Sequence, residues 1–162
     1  MNIYGKITKD INMPAFDSPL KLLLWMKNNI NYKEYSYLMT AEEVYKEKTG
    51  SCHDQVIFEM FYFEKMKIKY GTIFFIEYND DNIGGATHSL LYYIKNGKYY
   101  WFENAWEEEK GIHGPYNSLK DLKDEVKEKD LKNSKYNNIE FGSIKNVKSG
   151  MTLNEFVQAC LK

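Results

Sequence analysis

An α+β fold, with one long buried helix packed on an antiparallel sheet, is what three stretches of this chain predict. Residues 52–66 are apolar around much of the helical circumference, at Val56, Ile57, Phe58, Met60, Phe61, Tyr62 and Phe63, the pattern of a central helix. Residues 72–78 read Thr-Ile-Phe-Phe-Ile-Glu-Tyr, β-branched and aromatic, hence a strand. Two further aromatic runs, 87–95 and 98–106, are joined by Asn96-Gly97, the strongest short signal for a hairpin. With 162 residues, the chain is most simply a single domain, 1–162, large enough for a core without disulfides or metals.

The other elements follow in order. Residues 1–16 show no period and contain Pro14 as a breaker, so a covering arm is expected. Ser18 and Pro19 are N-cap and first helical residue; Leu20, Leu23, Leu24, Met26 and Ile30 then form a largely buried helix ending between Asn28 and Asn31, with Trp25 and Tyr32 as core aromatics. Thr40-Ala41-Glu42-Glu43 is a capping box that opens a short helix to about Lys48. Asn79 to Asn82, with Gly84 and Gly85, reads as a flexible loop. Ser118 caps an amphipathic helix with Leu119, Leu122 and Val126 inward, residues 136–144 suggest another strand, and Thr152 to Glu155 is a capping box for a last helix. The core is expected over about 18–106, followed by a helix-strand-helix extension over 107–162.

Composition narrows the function. Net charge is −1, and the basic residues are all Lys, with no Arg. That balance argues against bulk nucleic-acid binding, and bidentate arginine recognition is excluded. No stretch approaches the ~20 apolar residues of a membrane span, and no secretion signal is evident, so a soluble cytoplasmic chain with reduced cysteines is expected. No CxxC, HExxH or histidine cluster calls for a metal, and nothing calls for a cofactor.

The chemistry concentrates at Thr49-Gly50-Ser51-Cys52-His53-Asp54-Gln55. Gly50 allows a tight entry, Ser51 is an N-cap, and Asp54 occupies the capping carboxylate position. Cys52 is then the first helical residue, where free N–H groups and the positive dipole end favour a thiolate and can bind an oxyanion. His53 reads as a solvated or capping neighbour, His113 as incidental in a glycine-flanked loop, and Cys160 as a small buried hydrophobe. A base comes from the hairpin. A two-residue turn pairs Lys95 with Lys98, hence Tyr92 with Trp101 and Leu90 with Glu103, so His88 and Glu103 share a face as diagonal neighbours while Asn104 points the other way. A carboxylate there fixes the ring tautomer and supports the imidazolium that holds the thiolate.

Cysteine at a helix start after glycine, histidine on the first hairpin strand and an acid on the return strand resemble the transglutaminase-like family of papain-type thiol enzymes. Leu24 to Tyr32 is similar to the family's helix ending in "nIxY", Thr40 to Asp54 to its capped helix with "GxCxD", and His88 to Glu103 to its hairpin carrying histidine and aspartate. The likeness covers about 20–106. It implies a papain-like, transglutaminase-like core and a triad in which Cys52 attacks a carbonyl, His88 manages the proton and Glu103 stands where the family usually has Asp. Glu is longer by one methylene, so Asn104 after a local bulge is the alternative orienting group, with Glu103 preferred. The implied reaction is acyl transfer through a Cys52 thioester with a peptide or protein substrate, hydrolysis being favoured. Transamidation or deamidation of glutamine is the alternative, as is an inactive peptide-binding domain of the same fold. The sequence leaves the oligomeric state open.

Overall fold

The computed structural model describes residues 12–162, apart from the side chains of Asn82 and Ile83. The expected arm over 1–16 therefore lies outside the described residues up to residue 11. Beyond it, Met13 and Phe16 pack on the core, and the Pro14 carbonyl accepts a bond from the Tyr62 hydroxyl at 2.7 Å.

Five α-helices and a five-stranded antiparallel sheet are present among the described residues. Helix α1 is Pro19–Asn29, started by Ser18, whose side chain accepts from the Lys21 N–H. Strands β1 (Asn31–Tyr32) and β2 (Thr49–Gly50) form a small parallel pair flanking α2 (Ala41–Glu47). Helix α3, Cys52–Met66, is followed by β3 (Tyr70–Asn79), β4 (Asn82–Lys95), β5 (Lys98–Glu103), β6 (Gly111–Tyr116), α4 (Leu119–Leu131), β7 (Asn138–Gly142) and α5 (Leu153–Leu161). The sheet order is β6-β5-β4-β3-β7.

Alternation along the strands builds two cores. Phe74, Leu91, Tyr93 and Phe102 face α3 and meet Phe58, Phe63 and residues of α1 and α2. Ile73, Phe75, Leu90 and Trp101 face the other way and are covered by Leu122 and Val126 of α4. The sheet is thus buried on both faces, and its central strands read as continuous apolar runs for that reason.

Three expectations change. Asn82 to Gly85 belongs to one 14-residue strand, because β3 and β4 turn directly into each other at Asn79↔Asn82. Gly111 to Tyr116, which reads as loop, is edge strand β6 paired to β5. In α1 only one face is covered, so Leu20 and Leu24 are exposed, as is Tyr32. The segment after residue 106 adds a strand to each edge of the sheet, and α5 returns to the α3 side, where the Thr152 region bridges Tyr37 and the Met151 carbonyl accepts from Leu38 N–H at 2.7 Å.

Candidate active site

Helix α3 starts where two strands hold the chain. The Gly50 carbonyl accepts from Lys33 N–H at 3.2 Å and from the Gln55 side chain at 3.0 Å. The expected capping box forms: the Ser51 hydroxyl accepts from Asp54 N–H at 3.3 Å, and the Asp54 carboxylate accepts from Ser51 N–H at 2.9 Å and Met39 N–H at 2.8 Å. Gly50 has a packing reason as well, since a Cβ there would lie 2.9 Å from Asp54 Cβ. Cys52 is the first residue of α3, so its N–H belongs to the helix's unpaired first turn.

The hairpin has the expected register from Lys95↔Lys98 to Leu91↔Phe102. Beyond Leu91 and Phe102 the strands separate, and His88 and Glu103 fill the gap, with His88 Nε2 2.6 Å from Glu103 Oε1. Glu103 is fully engaged: its Oε1 also accepts from Trp101 Nε1–H at 3.2 Å, and its Oε2 accepts from the N–H groups of Ala105 and Trp106 at 3.0 and 3.2 Å. Those four partners fix the geometry of its side chain. With Nε2 taken, Nδ1 is the ring nitrogen left to act on the Cys52 thiol, whose ionisation His88 favours. Trp106 meets the His88 ring edge-on at 5.5 Å and Phe75 lies at 5.7 Å, which limits its rotation. Asn104 turns away, donating to Gln55 Oε1 at 2.8 Å, and so ties the end of β5 to the start of α3.

His53 departs from expectation. It is buried, not solvated; its Nδ1 lies 3.7 Å from Cys52 Sγ and 2.6 Å from the Ser89 hydroxyl, and its Nε2 3.4 Å from the Thr87 hydroxyl. Phe156 of α5 covers the ring at 4.5 Å. Two imidazoles therefore flank one thiol. Residue spacing gave no sign of this, because the burial of His53 depends on a helix one hundred residues later in the chain. His113 lies in β6, stacked on Trp101 at 4.3 Å, and its Nε2–H donates to the Glu109 carbonyl at 2.6 Å.

Electrostatics follow from this packing. Burial works against the Cys52 thiolate, but the charge and hydrogen bond of His53, and then those of His88, outweigh it and bring the thiol pKa down to about 6. Burial also works against the His88 imidazolium, yet Glu103 and the bond to Cys52 hold its pKa well above the ordinary value. Glu59, seven residues after Cys52 on α3, is buried with Oε2 lacking a hydrogen-bond partner. Burial and the neighbouring Glu103 charge raise its pKa well above the usual range. Burial and the Cys52 charge raise the pKa of Tyr32, whose hydroxyl donates to Glu34 at 3.0 Å.

A thiol with a lowered pKa at a helix start, an imidazole held by a carboxylate and free N–H groups nearby can perform nucleophilic attack on a carbonyl. Among the described residues no cluster of three or more His, Cys, Asp or Glu could hold a metal ion, and no helix is long and apolar enough to cross a membrane. No family model matches the chain, and no curated protein matches its sequence.

Proposed function

We propose that this protein is a thiol enzyme of transglutaminase-like type with a papain-like core, which transfers an acyl group from a peptide or amide through a Cys52 thioester. The observation that carries the reading is a thiol at the first residue of α3 with its pKa brought down to about 6, beside an imidazole, His88, whose Nε2 lies 2.6 Å from the Glu103 carboxylate. The Cys52 thiolate attacks the carbonyl carbon. The oxyanion meets the N–H groups of the first turn of α3. The His88 imidazolium then gives its proton to the departing amine, and neutral His88 takes a proton from water as the water attacks the thioester, which releases the acid and regenerates the thiol.

The test is the pH dependence of iodoacetamide labelling at Cys52, read by peptide mass, in the parent and in His88→Ala. A midpoint near 6 in the parent, moved upward by about one to two units without His88, supports the reading. A midpoint near that of a free thiol in both proteins overturns it. Once a substrate is found, product analysis with and without an added primary amine separates hydrolysis from transamidation.

A further inference from the structure

Strand β4 outruns its neighbour. β5 pairs with it only as far as Leu91, whereas β4 continues to Asn82 with β3 as its one strand partner among the described residues. In a two-residue hairpin the residues flanking the turn exchange both hydrogen bonds, so Lys95, Tyr93 and Leu91 face β5, and the series continues as Ser89 and Thr87; just beyond, the pairing with β3 shifts register, and Gly85 lies in that bulge. The intervening residues turn toward β3, in agreement with the bonds from Ile94 N–H to Lys69 O at 2.9 Å and from Ala86 N–H to Glu77 Oε2 at 3.2 Å. Ser89 is buried against His53, but Thr87 and Gly85 are only half-buried, and no described strand covers their outer edge.

That edge runs past His88 into an open cleft of about 830 Å³. Gly85 lines one wall, Trp106 separates the cleft from the His88 ring, and Glu77 and Asp130 form its acidic floor. Gly85 keeps the strand close to that floor, since a Cβ there would lie 2.6 Å from both Glu77 Cβ and the Tyr136 ring. Burial and the neighbouring Glu77 raise the Asp130 pKa to about 7, and Asp130 Oδ2 is buried without a hydrogen-bond partner. Among the other charges, Lys129 is paired with Glu109 at 3.0 Å, and Glu108, Lys132 and Lys135 stand exposed at the rim. A cationic group on the floor would find two acidic side chains there, one with an unpartnered buried oxygen.

We propose that the outer edge of β4 at Gly85 and Thr87 takes up an extended peptide as an added strand, with a Lys or Arg side chain of the peptide reaching Glu77 and Asp130. Main-chain bonds to the strand supply affinity, and the side chain in the cleft supplies selectivity. This rests on the acyl-transfer reading and names its substrate: a basic extended peptide, laid along the strand that carries His88.

The test uses the full chain with Cys52→Ala, which prevents turnover, and fluorescein-labelled Gly-Thr-Val-Lys-Val-Thr-Gly amide, read by anisotropy. The Lys peptide should bind about tenfold more tightly than its Lys-to-Glu counterpart and lose about tenfold when the two Val amides are N-methylated. Asp130→Asn should weaken the Lys peptide about fivefold and leave the Glu peptide unchanged. Equal binding of the three peptides, or no binding at millimolar peptide, overturns the proposal. Iodoacetamide labelling of the parent is independent: a fast thiol without peptide selectivity removes the strand-edge proposal alone, and a slow thiol with selectivity removes the enzyme reading alone.

Discussion

The two cysteines of this chain are both buried, yet their thiols are driven in opposite directions. Cys52 falls to about 6, whereas burial pushes Cys160 up to about 12. Burial opposes the thiolate at both, so what separates them is company. Cys52 begins a helix, and two imidazoles favour its thiolate, His53 at 3.7 Å and His88, which Glu103 holds. Cys160 lies near the end of α5 among apolar side chains, its carbonyl tied to Ser143 N–H at 3.2 Å. A cysteine's surroundings, more than its exposure, decide whether it is a nucleophile or a hydrophobe.

The largest expected effect is the contrast itself. In the native protein at pH 6.5, iodoacetamide should label Cys52 faster than Cys160 by a factor on the order of 10³, the thiolate ratio being tempered by the lower nucleophilicity of a more acidic thiol. Comparable rates would show that the surroundings of Cys52 do not activate it.

The next effect separates the two imidazoles. His88→Ala and His53→Gln should each raise the labelling midpoint of Cys52, by about one to two units. Only His88→Ala should abolish turnover of a substrate, by roughly 10²–10⁴-fold, because His88 carries the proton to and from the reacting atoms. His53→Gln should stay within about tenfold of the parent, since its ring acts on the thiolate as a neighbouring charge and hydrogen bond. The reverse order would make His53 the base. The parent's kcat/KM should rise through about 6 as Cys52 ionises and fall well above 6.5 as His88 loses its proton.

A smaller effect concerns the platform under Cys52. Gly50→Ala should destabilise the fold by about 1–2 kcal/mol in urea unfolding, because the new methyl meets Asp54 Cβ at 2.9 Å and presses on the cap of α3. An unchanged midpoint would show that the capping box has slack.

Much of this was legible in local chemistry. Asn96-Gly97 forced the hairpin register, and that register brought His88 to Glu103; Ser51 and Asp54 spelled out the cap that puts Cys52 at a helix start. What stayed hidden depends on distant partners. His53 is drawn into the site by Phe156 and Ser89, Asn104 by Gln55, and the length of β4 by its direct turn from β3. Leu20 and Leu24 mislead for a related reason: an apolar residue at a helical position is buried only where another element reaches it, and here none of the described elements covers that face of α1.

The smallest effect, and the one that tests whether Cys52 and His88 form a pair, is the pH dependence of stability. The Cys52 pKa is depressed from about 8.5 in the unfolded chain, which by itself gives stability present above 8.5 and lost as pH falls through about 6. The His88 pKa is raised, which by itself gives stability present below about 6.5 and lost as pH rises through its native value. Taken together the two signs offset. Between about 6.5 and 8.5 the unfolded chain holds one proton on the thiol, and the native pair holds one proton on the imidazole, so the counts match and the slope vanishes. Cys52→Ser removes the thiol but leaves His88 bonded to Glu103. The native variant then keeps a proton that its unfolded form has lost, and its stability should decline over this window by about 1–2 kcal/mol relative to the parent. Urea unfolding of both proteins at pH 6.5 and 8.5 measures the difference. Parallel behaviour would mean that thiol and imidazole titrate independently, and that Cys52 differs from Cys160 by its helix position and His53 alone.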